Sequence, residues 1–417
     1  MKILDVIASP GLTGFYADDQ KAIKDGAVPD GFVYRGEPKT PGFSAIRQPG
    51  ESVSVMLVLE DGQVAYGDCA TVQYSGVGGR HPVFNAKTLV ECIEGEWADW
   101  LRGLSLEQFR PLAEQLDQLS IDSPAPNAIR YGISQALLDA VARTWRITMA
   151  EVISREYGAQ LADKPVPIYA QTGDDLYLNV DKMILKRVGV LPHGLINNAE
   201  RKVGRDGEIL LGYVRWLSER IPLLGGEDYK PRLHIDVYGT LGQVFNNDLD
   251  RLADYLGKVA AAASPYSIQI EGPLDAGSRS AQISELHSLR NKIKQKGINV
   301  PIVADEWCNT LEDIREFAAA EAADFIQIKT PSLGNIDNTI KALQLAQASG
   351  AYTYLGGSCN ETDRSAQVCA HIALALQPNQ MLAKPGMGVD EGLMIVYNEM
   401  KRALALISRR SLNNKKQ

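Results

Sequence analysis

Three acids and one lysine each end a short apolar run in the second half of the chain. The runs are Leu233-His-Ile-Asp236, Ile268-Gln-Ile-Glu271, Ile302-Val-Ala-Asp305 and Phe325-Ile-Gln-Ile-Lys329. Three carboxylates supply the hard oxygen ligands that Mg²⁺ or Mn²⁺ prefers, and a lysine beside a bound dication is a candidate general base. Together they could remove a proton from the carbon next to a carboxylate while the metal stabilises the charge that builds up on its oxygens.

The spacing of these runs indicates how they are brought together. The four residues lie 24 to 35 residues apart, the length of a strand, a returning helix and two loops, which favours parallel βα units. Eight strands are predicted, near 166–170, 191–197, 232–238, 267–271, 301–305, 325–329, 351–356 and 380–384. They predict a closed (β/α)8 barrel of the TIM type, with the acids and the lysine at its C-terminal mouth.

Helix signals between the strands agree with this barrel. Thr310 and Asp313 resemble a capping box that opens one helix. Gly350 is placed to end the next helix, because glycine adopts the left-handed conformation common after a helix.

Residues 1 to about 160 lack the βα rhythm. Ser52–Leu59 and Gln63–Tyr66 flank Asp61-Gly62, a strong hairpin signal. Helical patterns follow near 84–102, 106–118 and 127–146, the last with an apolar stripe at Ile129, Ile133, Leu137 and Val141. We therefore predict an α+β capping domain over residues 1–160, followed by the barrel domain over residues 161–417.

A glycine-rich loop, Val72-Gln-Tyr-Ser-Gly-Val-Gly-Gly-Arg80, lies between the hairpin and these helices. A phosphate-binding loop would need glycine where His81 stands, together with a surrounding βαβ unit. The loop is better interpreted as a mobile polar segment over the barrel mouth, where Gln73 could touch substrate and Tyr74 could exclude water.

Composition restricts the partners and the compartment. The 417 residues carry a formal charge of −8 and show neither a basic patch nor a basic helix, which argues against nucleic-acid or membrane partners and leaves a small-molecule substrate. No apolar run approaches the roughly 18 residues needed to cross a bilayer, and the amino terminus does not resemble a signal peptide. Five scattered cysteines favour reduced thiols in the cytoplasm. Disorder is expected only at residues 413–417.

Each candidate residue also has a structural interpretation. A lone acid at a strand end is usually a helix cap or a salt-bridge partner, and only the repetition of the position favours a metal site. Lys329 could be half of an ion pair, but burial beside a dication disfavours its charged form and so favours a base. His193, on the second strand, could be structural or could face Lys329 across a substrate, and His234 is interpreted as barrel-interior packing.

Longer motifs carry a resemblance to a known family. They are Gly14–Gln20, Val72–Gly76, Gln171–Asp175, Pro192-His193, Leu195–Asn198, His234–Gly239, Ile270–Pro273, Val303–Thr310, Gln327–Pro331 and Lys384–Gly388. With acids ending the third, fourth and fifth barrel strands, the chain resembles the enolase superfamily. Within that superfamily, it is similar to the methylaspartate ammonia-lyases over nearly its full length.

The resemblance implies a role for each matching position. Asp236, Glu271 and Asp305 would bind Mg²⁺, with Mn²⁺ as a possible substitute. Lys329 would take the proton from C-3 of L-threo-3-methylaspartate, and ammonia would leave from C-2 to give mesaconate. His193 would be the base on the opposite face, serving the epimeric substrate or steering the intermediate. The substrate contacts would be Gln171, Gln327, Ser358 and Cys359 to the carboxylates, Gln73 near the amino group and Leu382 against the methyl group.

The resemblance also implies a homodimer activated by K⁺ that acts in glutamate degradation after glutamate mutase. The chain departs from the usual family residues at four positions, Leu176, Gly194, Ser332 and Ser358. The family usually has Arg, Ala, Asp and Thr there. Loss of a methyl group at Ser358 bears on substrate tightness, Gly194 could loosen His193, and Leu176 removes a possible surface or loop ion pair.

Three alternatives remain open at this point. A related racemase or acid-sugar dehydratase would turn over sugar acids and not methylaspartate. A Schiff-base aldolase using Lys329 would be metal-independent and would be trapped by borohydride. A catalytically silent barrel acting as a binding protein would keep its function after Lys329→Ala.

Overall fold

The computed structural model describes residues 1–77 and 80–414. Gly78 and Gly79 of the glycine-rich loop lie outside the described residues, as do residues 415–417 of the terminal segment expected to be disordered. The strands of the first part are β1 (Ile3–Asp18), β2 (Val28–Asp30), β3 (Val33–Arg35), β4 (Arg47–Leu59) and β5 (Val64–Cys69).

The predicted hairpin is confirmed. β4 and β5 are antiparallel neighbours in a three-stranded sheet of order β1-β4-β5, and β2 pairs with β3. Gly62 turns the chain with a φ of +84°, a conformation that costs glycine little. The alternating apolar residues of β4, including Val53, Val55 and Leu57, are buried against the helices behind the sheet.

The described residues of this part of the chain also form six α-helices. They are α1 (Gln20–Lys24), α2 (Ala86–Cys92), α3 (Ala98–Leu101), α4 (Phe109–Gln118), α5 (Pro126–Trp145) and α6 (Met149–Tyr157). The helix predicted near 84–102 is divided, because a π-helical turn over Ile93–Trp97 contains a non-helical residue, Gly95, between α2 and α3. The other two predicted helices correspond to α4 and α5.

Helix α5 is buried around most of its circumference and not only along the predicted apolar stripe. Tyr131, Ser134 and Gln135 are buried with the apolar residues. Gly132 allows the close approach of α5 to β5, because a Cβ at this position would lie 2.5 Å from Cys69 Sγ. The helix therefore packs between the N-terminal sheet and the barrel.

The predicted eight-stranded parallel barrel is also confirmed. Its strands are β6 (Ile168–Gly173), β7 (Val190–Gly194), β8 (Arg232–Asp236), β9 (Ile268–Glu271), β10 (Ile302–Ala304), β11 (Phe325–Ile328), β12 (Tyr352–Leu355) and β13 (Gln380–Leu382). The ring closes by pairing of β13 with β6. Tyr169, Tyr354 and His234 pack inside it, with His234 stacked on Tyr169 at a centroid distance of 4.1 Å.

The remaining helices surround the barrel or lie at its mouth. They are α7 (Leu178–Leu185), α8 (Glu208–Gly225), α9 (Thr240–Phe245), α10 (Leu249–Ala263), α11 (Arg279–Gln295), α12 (Leu311–Ala319), α13 (Thr330–Leu333), α14 (Ile336–Ala348), α15 (Asp363–Leu376) and α16 (Asp390–Asn414). The Thr310–Asp313 capping box opens α12 as predicted, and Gly350 follows α14 with a φ of +85°. Among the described residues, no helix is both long and apolar enough to span a membrane.

Candidate active site

The barrel mouth brings Lys329 and His193 to opposite sides of one cavity. His193 lies in β7 and Lys329 directly follows β11, and these two strands are four places apart in the closed ring of eight. Both residues line this cavity, which has a volume of about 40 Å³. A substrate held between them would present one face to each side chain.

The three predicted metal ligands occupy the arc between these two strands. Asp236 and Glu271 are the last residues of β8 and β9 and are paired in register. Asp305 directly follows β10. All three are at most 5% exposed. Burial, with repulsion from neighbouring carboxylates, raises the pKa of Asp236 and of Glu271 well above the usual values.

Asp305 differs from the other two acids because it is paired with cations. Its Oδ1 lies 2.6 Å from Lys329 Nζ and its Oδ2 lies 3.5 Å from an Arg80 nitrogen. Burial would raise the pKa of Asp305, but Lys329 and Arg80 outweigh it and the pKa is lowered. Lys329 and Asp305 therefore form an ion pair, as one interpretation of the sequence expected. Lys329 would have to act as a base while it lies beside Asp305.

The donor set fits a divalent cation. Ligand atoms of His193, Asp236 and Glu271 lie within 4.8 Å of one another, while Asp305 is engaged by Lys329 and Arg80. A fourth acid, Glu306, is also buried, and burial together with Asp305 raises its pKa. Four buried carboxyl groups thus face two cationic side chains, and oxygen ligands in this excess suit Mg²⁺.

His193 is held as a neutral imidazole. Burial lowers its pKa to about 4, so the ring is uncharged near neutral pH. Its Nε2 lies 3.6 Å from Asp236 Oδ2, and the edges of Tyr169 and Tyr238 contact the ring. A neutral imidazole can accept a proton, as the predicted role requires.

His234 contacts a predicted metal ligand and is more than packing. Its Nε2 lies 2.9 Å from Glu271 Oε2, while its Nδ1 faces the side-chain amides of Gln269 and Gln380 at 2.9 and 2.7 Å. Gln327 donates to the other oxygen of Glu271 at 2.6 Å. Glu271 Oε1 is therefore held by a hydrogen bond, whereas Oε2 lies beside His234 Nε2 without hydrogen-bond geometry.

The predicted neutral contacts line the same cavity: Gln73, Gln171, Gln327, Ser358, Cys359 and Leu382. Gln171 Nε2 donates to the carbonyls of Ala383 and Gly386 at 2.8 and 2.9 Å, so a contact with a substrate carboxylate would have to displace one of these bonds. Ser358 Oγ accepts from the backbone N–H groups of Gln73 and Asn360. Its own hydroxyl hydrogen can be donated to Cys359 Sγ, 4.0 Å away, or to a substrate.

Comparison with known proteins assigns the family. A family model described as methylaspartate ammonia-lyase N-terminus matches residues 1–158, and one described as methylaspartate ammonia-lyase C-terminus matches residues 160–409. The chain belongs to the methylaspartate ammonia-lyase family. Methylaspartate ammonia-lyase 2 of Carboxydothermus hydrogenoformans is 58% identical over 412 residues, which are 98% of this chain and 99% of that protein.

Solved structures of two members of the family superpose closely on this chain. The Mg complex of β-methylaspartase from Clostridium tetanomorphum has a TM-score of 0.93 at 54% identity, covering 98% of this chain and 100% of that one. Methylaspartate ammonia lyase from Citrobacter amalonaticus, containing (2S,3S)-3-methylaspartic acid, has a TM-score of 0.96 at 49% identity, with coverage of 98% and 100%. Muconate lactonizing enzyme from Pseudomonas putida, at 18% identity and a TM-score of 0.60 over 90% of this chain and 86% of that one, shares the fold.

Gly194 and Leu176 lie against each other. A Cβ at Gly194 would lie 2.5 Å from Leu176 Cδ2. The leucine therefore occupies the space that the methyl group of an alanine at position 194 would need.

Several residues of the site were missed by the sequence reasoning. Arg80 ends the glycine-rich loop, and its guanidinium side chain is only 4% exposed beside Asp305. Asp18 accepts from Gln73 Nε2 at 2.8 Å and pairs with Arg47, which fixes the glutamine amide. Glu306 carries the one local signal that was available, since it is an acid directly after a predicted ligand. Asp18 and Arg80 lie within the Gly14–Gln20 motif and the glycine-rich loop, but neither residue was singled out, because both come from the other part of the chain.

Proposed function

We propose that this chain eliminates ammonia from L-threo-3-methylaspartate to give mesaconate. Besides membership of the family, the proposal rests on one observation: Lys329 and His193 end opposite barrel strands, with the buried acids on the arc between them. A base on each side of a bound substrate, next to a site for a dication, is what removal of a weakly acidic C–H proton needs.

Asp236, Glu271 and Asp305 would hold the metal, Mg²⁺ as in the Clostridium tetanomorphum complex, with Mn²⁺ as the alternative. Once bound, the ion supplies positive charge for the substrate carboxylate next to C-3, whose oxygens become more negative as the proton leaves. Gln327 keeps Glu271 oriented for this role by donating to its Oε1, and His234 lies beside its Oε2.

Lys329 accepts the C-3 proton at its Nζ. The ammonium group that results lies 2.6 Å from Asp305 Oδ1 in the observed geometry, so the protonated product of this step is stabilised where it forms. The C–N bond at C-2 then breaks as the C-2–C-3 double bond forms, and ammonia leaves.

The neutral groups of the cavity orient the substrate. The hydroxyl of Ser358 would donate to a carboxylate. Gln73 Oε1, which accepts from Cys359 Sγ at 3.3 Å, has a second lone pair that would accept from the amino group. Leu382 is buried at the cavity wall, where it would contact the methyl group. His193 would accept the C-3 proton of the epimeric substrate from the side opposite Lys329.

We also propose the assembly and setting that the family resemblance implies. The chain would form a homodimer activated by K⁺ and act in the cytoplasm, in glutamate degradation. The five unpaired cysteines support a reducing compartment.

The test follows the absorbance of mesaconate formed from L-threo-3-methylaspartate with Mg²⁺ and K⁺. We expect product with the wild type, none after addition of excess chelator, and a loss of kcat of about 10²- to 10⁴-fold in Lys329→Ala. Lys341→Ala is the matched control, because Lys341 is also paired with an aspartate, Asp337 at 2.6 Å, but lies on α14. It should leave the rate unchanged.

The other outcomes separate the alternatives. Turnover of sugar acids without turnover of methylaspartate would indicate a racemase or dehydratase. Activity that survives the chelator, with trapping by borohydride, would indicate a Schiff base on Lys329. Full activity of Lys329→Ala would transfer the role of base to His193.

A further inference from the structure

Four fully buried polar residues form a closed hydrogen-bonded ring behind the active site. They are Tyr131, Thr330, Glu361 and Lys384, each 0% exposed. Lys384 Nζ lies 2.8 Å from Glu361 Oε1 and 3.0 Å from Thr330 Oγ1. Tyr131 Oη lies 2.7 Å from Glu361 Oε2 and 3.2 Å from Thr330 Oγ1.

The chemistry of the groups sets the direction of each bond in the ring. Lysine only donates and a carboxylate only accepts. Tyr131 therefore gives its single hydrogen to Glu361, and the Thr330 hydroxyl accepts from Lys384 and donates to Tyr131. Burial raises the pKa of Tyr131 well above its usual value, so the phenol keeps its proton. Burial would lower the pKa of Lys384, but Cys369 and Glu361 outweigh it and raise it.

The members of the ring come from four separate elements. Tyr131 lies in α5 of the N-terminal part, Thr330 directly follows Lys329, Glu361 lies in the loop after β12, and Lys384 follows β13. The ring also binds the loop that carries Ser358. Glu361 Oε1 accepts from Ser358 N at 2.9 Å, and Lys384 donates to the carbonyl of Gly356 at 3.0 Å.

We infer that this ring positions the active site by fixing Lys329 relative to the Ser358–Cys359 loop, with Tyr131 as the link to the N-terminal part. The inference rests on the proposed function. Lys329 has to meet C-3 of a substrate held by the loop, and these two groups come from different strands. A shared buried network gives them one fixed separation, and a displacement of about 1 Å between reacting groups can cost about 10²-fold in rate.

Each member acts on a different part of the site. The Tyr131 hydroxyl supports Thr330 and therefore Lys329, whereas Ser358 N is held by the other oxygen of Glu361. Removal of the Tyr131 hydroxyl should for this reason lower kcat more than it raises KM. Tyr131, Thr330, Glu361 and Lys384 are positioning residues, since none of them lines the cavity.

The test compares Tyr131→Phe with Tyr157→Phe. Tyr157 in α6 donates to Asp337 Oδ1 in α14 at 2.7 Å, so it also joins the N-terminal part to the barrel through a carboxylate, but away from the mouth. We expect Tyr131→Phe to lower kcat at least about tenfold with less than about a threefold change in KM. Mg²⁺ affinity by calorimetry should stay at the wild-type value, and Tyr157→Phe should keep wild-type kcat and KM.

A second pair of variants gives the same comparison if Tyr131→Phe fails to fold. Thr330→Val removes the hydroxyl from the ring, and Thr330→Ser keeps it. We expect the valine variant to lose kcat and the serine variant to retain it. Equal kcat values in Tyr131→Phe and Tyr157→Phe, or in the two Thr330 variants, would overturn the inference. A wild type that forms no mesaconate would overturn the proposed function, and the role of the ring with it.

Discussion

At the scale of single residues, the site depends on how buried charges are paired. Asp305 has two cationic neighbours and a lowered pKa, whereas Asp236 and Glu271 have raised pKa values because they are buried near other acids. Carboxyl groups at the ends of nearby strands thus have different pKa values. The difference arises from Lys329 and Arg80, which reach Asp305.

Gly357 shows how little space the ring leaves. Its φ is +132°, and a Cβ there would lie 2.3 Å from both Glu361 Oε1 and Lys384 Nζ. We expect Gly357→Ala to raise KM for methylaspartate at least about tenfold, because the loop with Ser358 must move to admit the methyl group. Steady-state kinetics would measure this.

Gly62→Ala is the control for Gly357→Ala. Gly62 also has a positive φ, +84°, but a Cβ added there, in the hairpin turn, would have nothing within 4 Å of it. The substitution should lower stability by about 1 kcal/mol, through backbone strain alone, and leave KM unchanged. An equal rise of KM in both variants would show that the effect of Gly357→Ala does not come from the ring.

At the scale of elements, the closed order of the barrel assigns its two halves different tasks. The acids lie at the ends of β8 and β9 and directly after β10, while β6, β13 and the loop after β12 carry Gln171, Leu382 and Ser358, which are expected to hold the organic part of the substrate. Strands β7 and β11 separate these halves and carry His193 and Lys329. The position of a strand in the ring therefore determines what its last residue can contact.

The C-terminal helix contributes an ion pair whose effect should depend on pH. Glu399 in α16 lies 3.0 Å from His371 Nε2 in α15 and 2.9 Å from Arg402. Burial would raise the pKa of Glu399, but His371 and Arg402 outweigh it and lower the pKa from 4.5 to about 2. Because Glu399 is a stronger acid in the folded protein, its contribution to the free energy of unfolding is complete above about pH 4.5. That contribution is lost as the pH falls towards 2.

We therefore expect Glu399→Gln to lower Tm at neutral pH by about 2 °C, a small value because the pair is partly exposed. The difference from the wild type should shrink as the pH is lowered through 4.5. Calorimetry at several pH values would measure it. Glu219→Gln, at an exposed position on α8, should show no difference at any pH. If the difference in Tm between Glu399→Gln and the wild type did not change with pH, the lowered pKa of Glu399 would be contradicted.

At the scale of the whole molecule, the N-terminal part covers the barrel mouth and completes the cavity. It provides Gln73 and Arg80 at the cavity and Tyr131 in the ring. The catalytic groups thus depend on contact between the two parts of the chain. The division of the chain into domains at residues 160 and 161 stays a prediction.

The excess of buried acids should make stability depend on Mg²⁺. Asp236 and Glu271 have raised pKa values in the folded protein, so folding retains protons that the unfolded chain releases, and stability falls as the pH rises above about 4. Mg²⁺ bound at the proposed site would replace these protons. We expect saturating Mg²⁺ to stabilise the protein by about 2.7 kcal/mol at a hundredfold excess over Kd, with a larger rise in Tm at about pH 8 than at about pH 6.

Thermal denaturation with Mg²⁺ and with chelator, at both pH values, would measure this effect. Asp236→Asn should abolish the rise in Tm, and Asp254→Asn, at an acid exposed on α10, should keep it. Identical Tm values with Mg²⁺ and with chelator would contradict the proposed metal site.

The sequence by itself determined the barrel, the hairpin and the candidate residues at the strand ends. These follow from local patterns: alternation within a strand, a two-residue turn, and acids repeated at the ends of successive apolar runs. Family motifs added the reaction. The sequence could not determine that α5 is buried on nearly all sides or that the helix predicted near 84–102 is divided at Gly95.

Only the tertiary structure decided the contacts between distant residues. Tyr131 and Glu361 are 230 positions apart, and Gln73 lies 55 positions from Asp18. The pairing of Arg80 with Asp305 and of Gly194 with Leu176 is of the same kind. A hydrogen bond or an ion pair requires a separation of about 3 Å in space. No local pattern encodes that separation, because it depends on how α5, the glycine-rich loop and the barrel pack together.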